Sequence, residues 1–195
     1  MNNAADLSSA STHELSHGSS NETSPSAHFV HLRLHSEYSL VDSTIRLKPL
    51  MKAVAQAQMP SVAITDQMNF YALVKFYNAA IGAGIKPIFG VDVLLREDHD
   101  AEQQYHLILL CQTNTGYRNL TKLISAAYLR GQVLNVPLVT RAQVQQYSEG
   151  VIALSGGREG DVGKALLAGN SERAEALLSF WRDVFPNRYY LELQR

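Results

Sequence analysis

The sequence is poor in cysteine, since Cys111 is the only one in 195 residues. An intrachain disulfide is therefore excluded, and a chain without disulfides is typical of a reducing cytoplasm. Cys111 directly follows the apolar run Leu107-Ile108-Leu109-Leu110, which favours a packing role over a reactive thiol. We therefore expect a cytoplasmic protein that depends on a hydrophobic core.

Long hydrophobic runs and an excess of charge of either sign are also absent. No apolar run approaches the roughly 20 residues of a membrane-spanning helix, and the N-terminus lacks the basic start and apolar centre of a signal peptide. There are 17 Lys and Arg against 18 Asp and Glu, so no global basic excess indicates a nucleic-acid partner. With 46% hydrophobic residues the chain can bury one substantial core. We expect a soluble protein with no membrane partner.

No glycine-rich phosphate-binding motif stands between a predicted strand and helix. What the chain does contain is an alternation of strand and helix patterns. The strand patterns cover residues 29–35, 61–65, 85–91, 105–111, 151–154 and 189–193. The helix patterns cover residues 47–57, 71–81, 116–130, 161–167 and 171–185, with a shorter helix after the capping box that begins at Thr140. Alternation of this kind predicts an α/β fold with a mainly parallel sheet, either a barrel or a doubly wound sheet.

The two ends of the chain differ from its middle. Residues 1–27 are rich in Ser, Asn, Thr and Ala, so we expect a disordered tail and an ordered domain from residue 28 to residue 195. His13 and His17 in this tail have helical spacing, but they lack acidic or cysteine neighbours that would favour a metal site. A compact domain rarely ends just after a core strand, so we expect a piece of a longer protein.

Several polar side chains follow or begin the predicted strands, and together they form the candidate site. If the strands are parallel, most of these side chains meet at one edge of the sheet. Carboxylates and imidazoles are the groups that a hydrolytic metal centre needs. The alternative is that the carboxylates cap helices and that the histidines are structural. The residues concerned are His35, Asp42, Asp66, Asp92 and His106.

Six ordered motifs resemble those of one known family. Together they resemble the polymerase and histidinol phosphatase (PHP) domain that opens the alpha subunit of bacterial DNA polymerase III, of the proteobacterial type. The resemblance extends from residue 28 to residue 195, and it implies a distorted seven-stranded β/α barrel that is truncated here before its last strands. The motifs are residues 29–42, Ala63-Ile64-Thr65-Asp66, residues 84–90, residues 114–120, Leu154-Ser155-Gly156-Gly157 and residues 190–194.

The same resemblance implies that the metal site is degenerate. Metal-binding members carry His-x-His where this chain has Arg33-Leu34-His35, and Thr-Asp-His where it has Thr65-Asp66-Gln67. They also carry glutamate at the position of Asp92 and cysteine at the position of Gly157, which leaves only His35, Asp42 and His106 as family ligands. Arg33 cannot ligate a cation and would compete for Asp42, Asp66 and Asp92. We therefore expect neither a bound metal nor a catalytic residue in this piece.

The resemblance also carries expectations about function. The complete protein would be a DNA-directed DNA polymerase that uses Mg²⁺ and binds DNA through a region outside this piece. The PHP domain itself would be structural, and would dock the proofreading exonuclease subunit among other subunits of the polymerase III holoenzyme. The alternative is a metal-dependent phosphoesterase or 3′ to 5′ exonuclease acting from a residual PHP site, or a stand-alone phosphatase of the superfamily.

Two further groups of side chains have structural explanations. Phe180, Trp181 and Phe185 have helical spacing, which favours core packing over base stacking. Arg118, Lys122 and Arg130 could form a basic edge on one helix, but three charges of this kind usually form a solvated face.

Overall fold

The computed structural model describes residues 29–40, 42–97 and 103–193, so the predicted tail at residues 1–27 lies outside the described residues. The strands are β1 Ser61–Ile64, β2 Lys86–Arg96, β3 Gln104–Cys111, β4 Gln132–Val133, β5 Val136–Pro137, β6 Val151–Leu154 and β7 Tyr189–Tyr190. The helices are α1 Leu47–Gln56, α2 Leu73–Gly82, α3 Asn114–Arg130, α4 Arg141–Gln146, α5 Asp161–Leu167 and α6 Ser171–Val184, with a 3₁₀ helix at Gly157–Glu159. Within these ranges no helix has the length and apolar character that crossing a bilayer requires.

Five strands form one sheet in the order β1-β2-β3-β6-β7. The β1–β2 and β6–β7 pairs are parallel, whereas β3 is antiparallel to both of its neighbours. Four strands therefore run in one direction and β3 alone runs in the other. The predicted α/β fold is confirmed, while the reversal of β3 is a departure from the expected βαβ alternation, because β2 and β3 pair directly without a helix between them.

The helices pack on one face of the sheet and leave the other face for the site. Side chains of α3, α5 and α6 form the main core with β2, β3 and β6, and α1 and α2 form a second cluster with β1. Trp181 and Phe185 are fully buried in the main core, as their helical spacing predicted. The opposite face of the sheet carries a small apolar cluster of Ala63, Ile108, Leu110 and Leu154.

Side-chain caps fix several helix starts. Thr140 and Gln143 form the predicted capping box of α4, each side chain bonding the other residue's backbone N–H. Thr113 caps α3 by accepting from the Gly116 N–H, and Asn170 caps α6. These local signals are the reason that the helices lie where the sequence pattern predicted them.

The predicted first strand, residues 29–35, is not a strand. The segment lies beside β1 and accepts backbone hydrogen bonds at its His31 and Leu34 carbonyls from Ala63 and Thr65. The two accepting carbonyls are three residues apart in this segment, whereas the two donating N–H groups are two residues apart in the β1 chain. The Leu34 N–H donates to the Thr65 hydroxyl and not to a backbone carbonyl. The ladder is therefore irregular, although the segment still delivers its polar side chains to the sheet.

Two other strand predictions also need correction. Strand β2 is longer than expected and continues to Arg96, so Asp92 lies inside the strand and not at its end. The hairpin of β4 and β5 was not predicted, because its turn residues Leu134 and Asn135, both with positive φ, lack the usual Asn-Gly signal. The predicted last strand, residues 189–193, is reduced to Tyr189–Tyr190.

Candidate functional site

The reversal of β3 is what brings the candidate site together. In the register of β2 and β3, Asp92 pairs with Ile108 and Leu94 pairs with His106. Asp92 and His106 are thus diagonal neighbours on one face of the sheet, the face that the helices leave free. In a parallel β3, the start of the strand, which carries His106, would lie at the opposite end of the sheet from the C-terminal end of β2.

Asp92 is the centre of the cluster and accepts hydrogen bonds from three side chains. Arg33 Nη2 donates to Oδ2 at 2.8 Å, and His35 Nε2 lies 3.0 Å from the same oxygen. His106 Nδ1 lies 2.8 Å from Oδ1. Asp92 is fully buried, and burial alone would raise its pKa. The bonds from His106 and His35 and the charge of Arg33 outweigh burial and lower the pKa of Asp92 to about 2.

Three further carboxylates contact these donors. His35 Nδ1 contacts the Asp42 carboxylate, and His106 Nε2 lies 3.7 Å from Glu159. Arg33 Nη1 lies 3.5 Å from Glu192, which follows β7. Burial disfavours the charged form of His35, but its bonds to Asp92 and Asp42 dominate and raise the pKa of His35. The cluster therefore alternates acids and bases and joins segments from both ends of the described chain.

Glu159 and Glu192 are site residues that the sequence analysis missed. The available signal was charge balance: a permanently charged Arg33 beside buried strands needs more than one acidic partner. The sequence could not indicate which of the many acidic residues would reach the cluster: Glu192 lies 159 positions from its partner Arg33, and Glu159 contacts His106 from a different part of the chain.

Asp66 does not join the cluster. It is buried and accepts from the Ser36 N–H at 2.6 Å, the Ser36 hydroxyl at 2.7 Å and the Ser39 hydroxyl at 2.7 Å. Its carboxylate therefore fixes the turn at residues 36–39 that follows the N-terminal segment. The expectation that Arg33 would also contact Asp66 and Asp42 is wrong: its acidic partners among the described residues are Asp92 and Glu192.

The remaining predicted site residues lie around the cluster. Gln67 lines the same cleft as His35 and His106, and its backbone forms an isolated parallel bridge with Asp92. Gly157 begins the 3₁₀ helix that carries Glu159 toward His106, and its φ is +57°. The cleft has a volume of about 980 Å³, with the acid–base cluster on one side and apolar residues of α1 on the other.

The donor set does not fit a multi-metal centre. Both oxygens of Asp92 accept from protein donors, and both ring nitrogens of His35 and of His106 face carboxylates. Arg33 Nη2 is bonded to Asp92 Oδ2, and a guanidinium group cannot ligate a cation. Within the described ranges, no three His, Cys, Asp or Glu side chains are grouped so that they could hold a metal ion. Chemically, the arrangement can keep Asp92 ionised and can tie segments together.

The fold and the site define an α/β domain whose polar cluster lies on one face of a mixed sheet, around the interior of β2. The chain matches the PHP domain family over residues 31–195, and it belongs to that family. The resemblance that the motifs indicated is thereby confirmed.

Curated relatives are long proteins of which this chain matches a small part. DNA polymerase III subunit alpha of Pseudomonas aeruginosa is 52% identical over 167 residues, which is 86% of this chain and 14% of the relative. The corresponding subunits of Escherichia coli K12 and Vibrio cholerae are 49% and 46% identical over the same shares. Among solved structures, an amidohydrolase from Chromobacterium violaceum with bound sulfate and no metal matches 51% of this chain and 33% of its own, at 19% identity and a TM-score of 0.41.

Proposed function

We propose that this chain is the PHP domain of a DNA polymerase III alpha subunit, a replicative DNA-directed DNA polymerase. The support is the identity of 46–52% to such subunits across 86% of the chain. Since the chain spans 14% of those relatives, polymerisation, its Mg²⁺ ions and DNA binding belong to the remainder of the longer protein. The compartment we propose is the cytoplasm.

Within that polymerase, the domain has a structural role and acts without a metal. The observation that carries this proposal is the buried Asp92 carboxylate, whose oxygens are taken by Arg33, His35 and His106. Arg33 also reaches Glu192, so the cluster holds the first described segment against the segment that follows β7. A cation would first have to displace this guanidinium from the low-dielectric site, which is unfavourable.

A residual phosphoesterase or 3′ to 5′ exonuclease is the competing function. It requires His35, Asp42, Asp66, Asp92 and His106 to suffice as ligands. Asp66 is committed to Ser36 and Ser39 and Asp92 to Arg33, which removes two of the five. We therefore do not favour this function, and we expect no degradation of a 3′-labelled oligonucleotide by this site in the presence of Mn²⁺ or Zn²⁺. A His35→Ala variant of the complete polymerase subunit should leave any background degradation unchanged.

The partner that we propose for the domain is the proofreading exonuclease subunit, within a polymerase III holoenzyme. The test is hydrogen–deuterium exchange of the complete polymerase subunit with and without the purified exonuclease subunit. Slower exchange of peptides within residues 29–193 is the expected result. Protection confined to peptides outside this range, or no binding at all, would overturn the docking role.

A further inference from the structure

An exposed apolar groove lies between the start of α2 and the outer face of α3, away from the acid–base cluster. It has a volume of about 460 Å³ and no charged residue in its lining. We call it the α2–α3 groove, and its lining residues are Asn69, Phe70, Tyr71, Thr121, Ile124, Ser125, Tyr128 and Leu129.

The apolar side chains of this groove are unusually exposed. Tyr71 is 64% exposed and Leu129 is 79% exposed, and the neighbouring Val74 is 74% exposed. Single exposed apolar residues are ordinary, but a contiguous group around a concave surface indicates an interaction site. Aromatic side chains dominate such sites because they supply contact area with little loss of conformational entropy.

One aromatic residue of the groove lining, Phe70, packs against a neighbouring ring. Phe70 and Tyr117 stack with ring centroids 5.9 Å apart and planes 17° apart. Burial and the neighbouring Tyr71 hydroxyl raise the pKa of Tyr128 to about 12. A preorganised aromatic surface loses less entropy on binding than a mobile one.

The two helices that border the groove carry side-chain charges of one sign. Helices α2 and α3 contain Lys75, Arg118, Lys122 and Arg130 and no Asp or Glu. This contrasts with a chain whose overall formal charge is −1. By helical periodicity Arg118 and Lys122 lie beside the groove residues of α3, and neither forms a salt bridge within the described part of the chain.

We propose that the α2–α3 groove docks a polypeptide segment that inserts a bulky apolar side chain and carries acidic residues beside it. The apolar volume accommodates the inserted side chain, and Arg118 and Lys122, which form no salt bridge with the described residues, provide charge complementarity to acidic neighbours. A nucleic acid fits less well, because the lining is uncharged and offers a single side-chain pocket and not a track of phosphate contacts. The inference rests on the docking role proposed above and names the surface and the chemistry of that role.

The test uses the complete polymerase subunit and the purified exonuclease subunit, with affinity measured by fluorescence anisotropy. The apolar variant is Tyr71→Ala with Leu129→Lys, and its matched control is Leu166→Lys with Leu167→Lys on α5. The control residues are 57% and 65% exposed, so both pairs alter the surface and not the core. We expect the groove variant to bind at least tenfold more weakly, on the order of one hot-spot contact, and the control to bind like the wild type.

The charge variant is Arg118→Glu with Lys122→Glu, and Arg182→Glu on α6 is its control. We expect wild-type affinity to fall as salt rises and the charge variant to bind more weakly with a flatter salt dependence. The control should keep the wild-type dependence. A charge variant with unchanged affinity and salt dependence would overturn the acidic character of the partner.

The outcomes separate this inference from the docking role itself. If the wild type binds and the groove variant binds equally well, the groove is overturned and the docking role stands. If the wild type does not bind, both are overturned. Reduced affinity of the groove variant for a single-stranded DNA oligonucleotide, with unchanged exonuclease binding, would assign the groove to nucleic acid. Lower thermal stability of the groove variant, with unchanged binding of the exonuclease subunit, would assign the groove to another segment of the same polypeptide. The DNA result and the stability result each overturn the proposal.

Discussion

Replacing Arg33 with alanine removes the one permanently charged donor to Asp92. The three donors together lower the pKa of Asp92 from 3.8 to about 2, which corresponds to about 2 kcal/mol of stability at neutral pH. A hydrogen bond to a charged group contributes about 1.5–3 kcal/mol. Because His35 and His106 remain bonded to Asp92, we expect Arg33→Ala to lower the free energy of unfolding by about 1–2 kcal/mol, below the roughly 3–5 kcal/mol of an uncompensated buried charge.

The assay is urea unfolding of the 195-residue chain, followed by the fluorescence of Trp181, its single and fully buried tryptophan. The control is Arg130→Ala, because Arg130 is exposed and we expect a change within about 0.5 kcal/mol. An Arg33→Ala chain that unfolds at the same urea concentration as the control would refute the importance of the cluster.

The pH dependence gives the same prediction a second readout. The folded-state pKa of Asp92 is lowered, so ionised Asp92 stabilises the fold above its unfolded pKa, and this contribution is lost as pH falls through the folded value. The alanine variant has less of this contribution to lose. The difference between wild type and variant should therefore be complete at pH 7 and shrink as pH falls from about 4 toward about 2. A difference that is independent of pH would contradict the electrostatic explanation.

Asp66→Asn should lower the free energy of unfolding by about 2 kcal/mol or more, because an amide cannot accept from all three donors. In the same urea assay, Asp183→Asn at an exposed position should change the free energy of unfolding little. Gly156→Ala should lower the melting temperature in calorimetry far more than Gly169→Ala: both have positive φ, but a Cβ at Gly156 would lie 2.3 Å from a backbone oxygen and one at Gly169 would meet nothing within 4 Å. His35 has a raised pKa, so its stabilising contribution is present below pH 6.5 and is lost as pH rises through the folded-state pKa. NMR titration of the His35 ring should give a pKa above the ordinary value for histidine. An ordinary or lower pKa would contradict the bonds of His35 to Asp92 and Asp42.

The helices could be predicted because their signals are local. The capping box at Thr140 and Gln143, the Thr113 cap and the apolar stripes of α3 and α6 are all contained in short windows of sequence. These signals do not depend on where other elements lie. The helix predictions were accurate to within a few residues for that reason.

The direction of β3 could not be predicted in the same way. A run such as residues 105–111 has the same apolar pattern whether the strand is parallel or antiparallel to its neighbour. The direct pairing of β2 with β3, and hence the meeting of Asp92 with His106, depends on tertiary structure. The sequence therefore identified both residues as candidates but for an incomplete reason, since it placed Asp92 at a strand end.

For the site residues too, the sequence indicates the candidates and tertiary structure decides their contacts. Arg33, His35, Asp42, Asp92 and His106 lie together, whereas Asp66 supports a turn beside them. Composition and spacing indicate which residue types can meet. The irregular segment before β1 and the chain after β7 decide which carboxylate meets which donor. The sequence patterns of both segments predict regular strands that the fold does not fully form, so Glu192 could not have been anticipated.

The central claim is that an arginine–carboxylate cluster replaces a metal centre. The most direct measurement is metal content by elemental analysis after dialysis against trace zinc and manganese. The natural chain is compared with a double variant, Arg33→His with Gln67→His, and with a triple variant that also carries Gly157→Cys. The double variant is included because it places no side chain at the positive φ of Gly157. We predict that the natural chain retains no stoichiometric metal and that restoring ligands increases retention. Stoichiometric metal in the natural chain would contradict the claim.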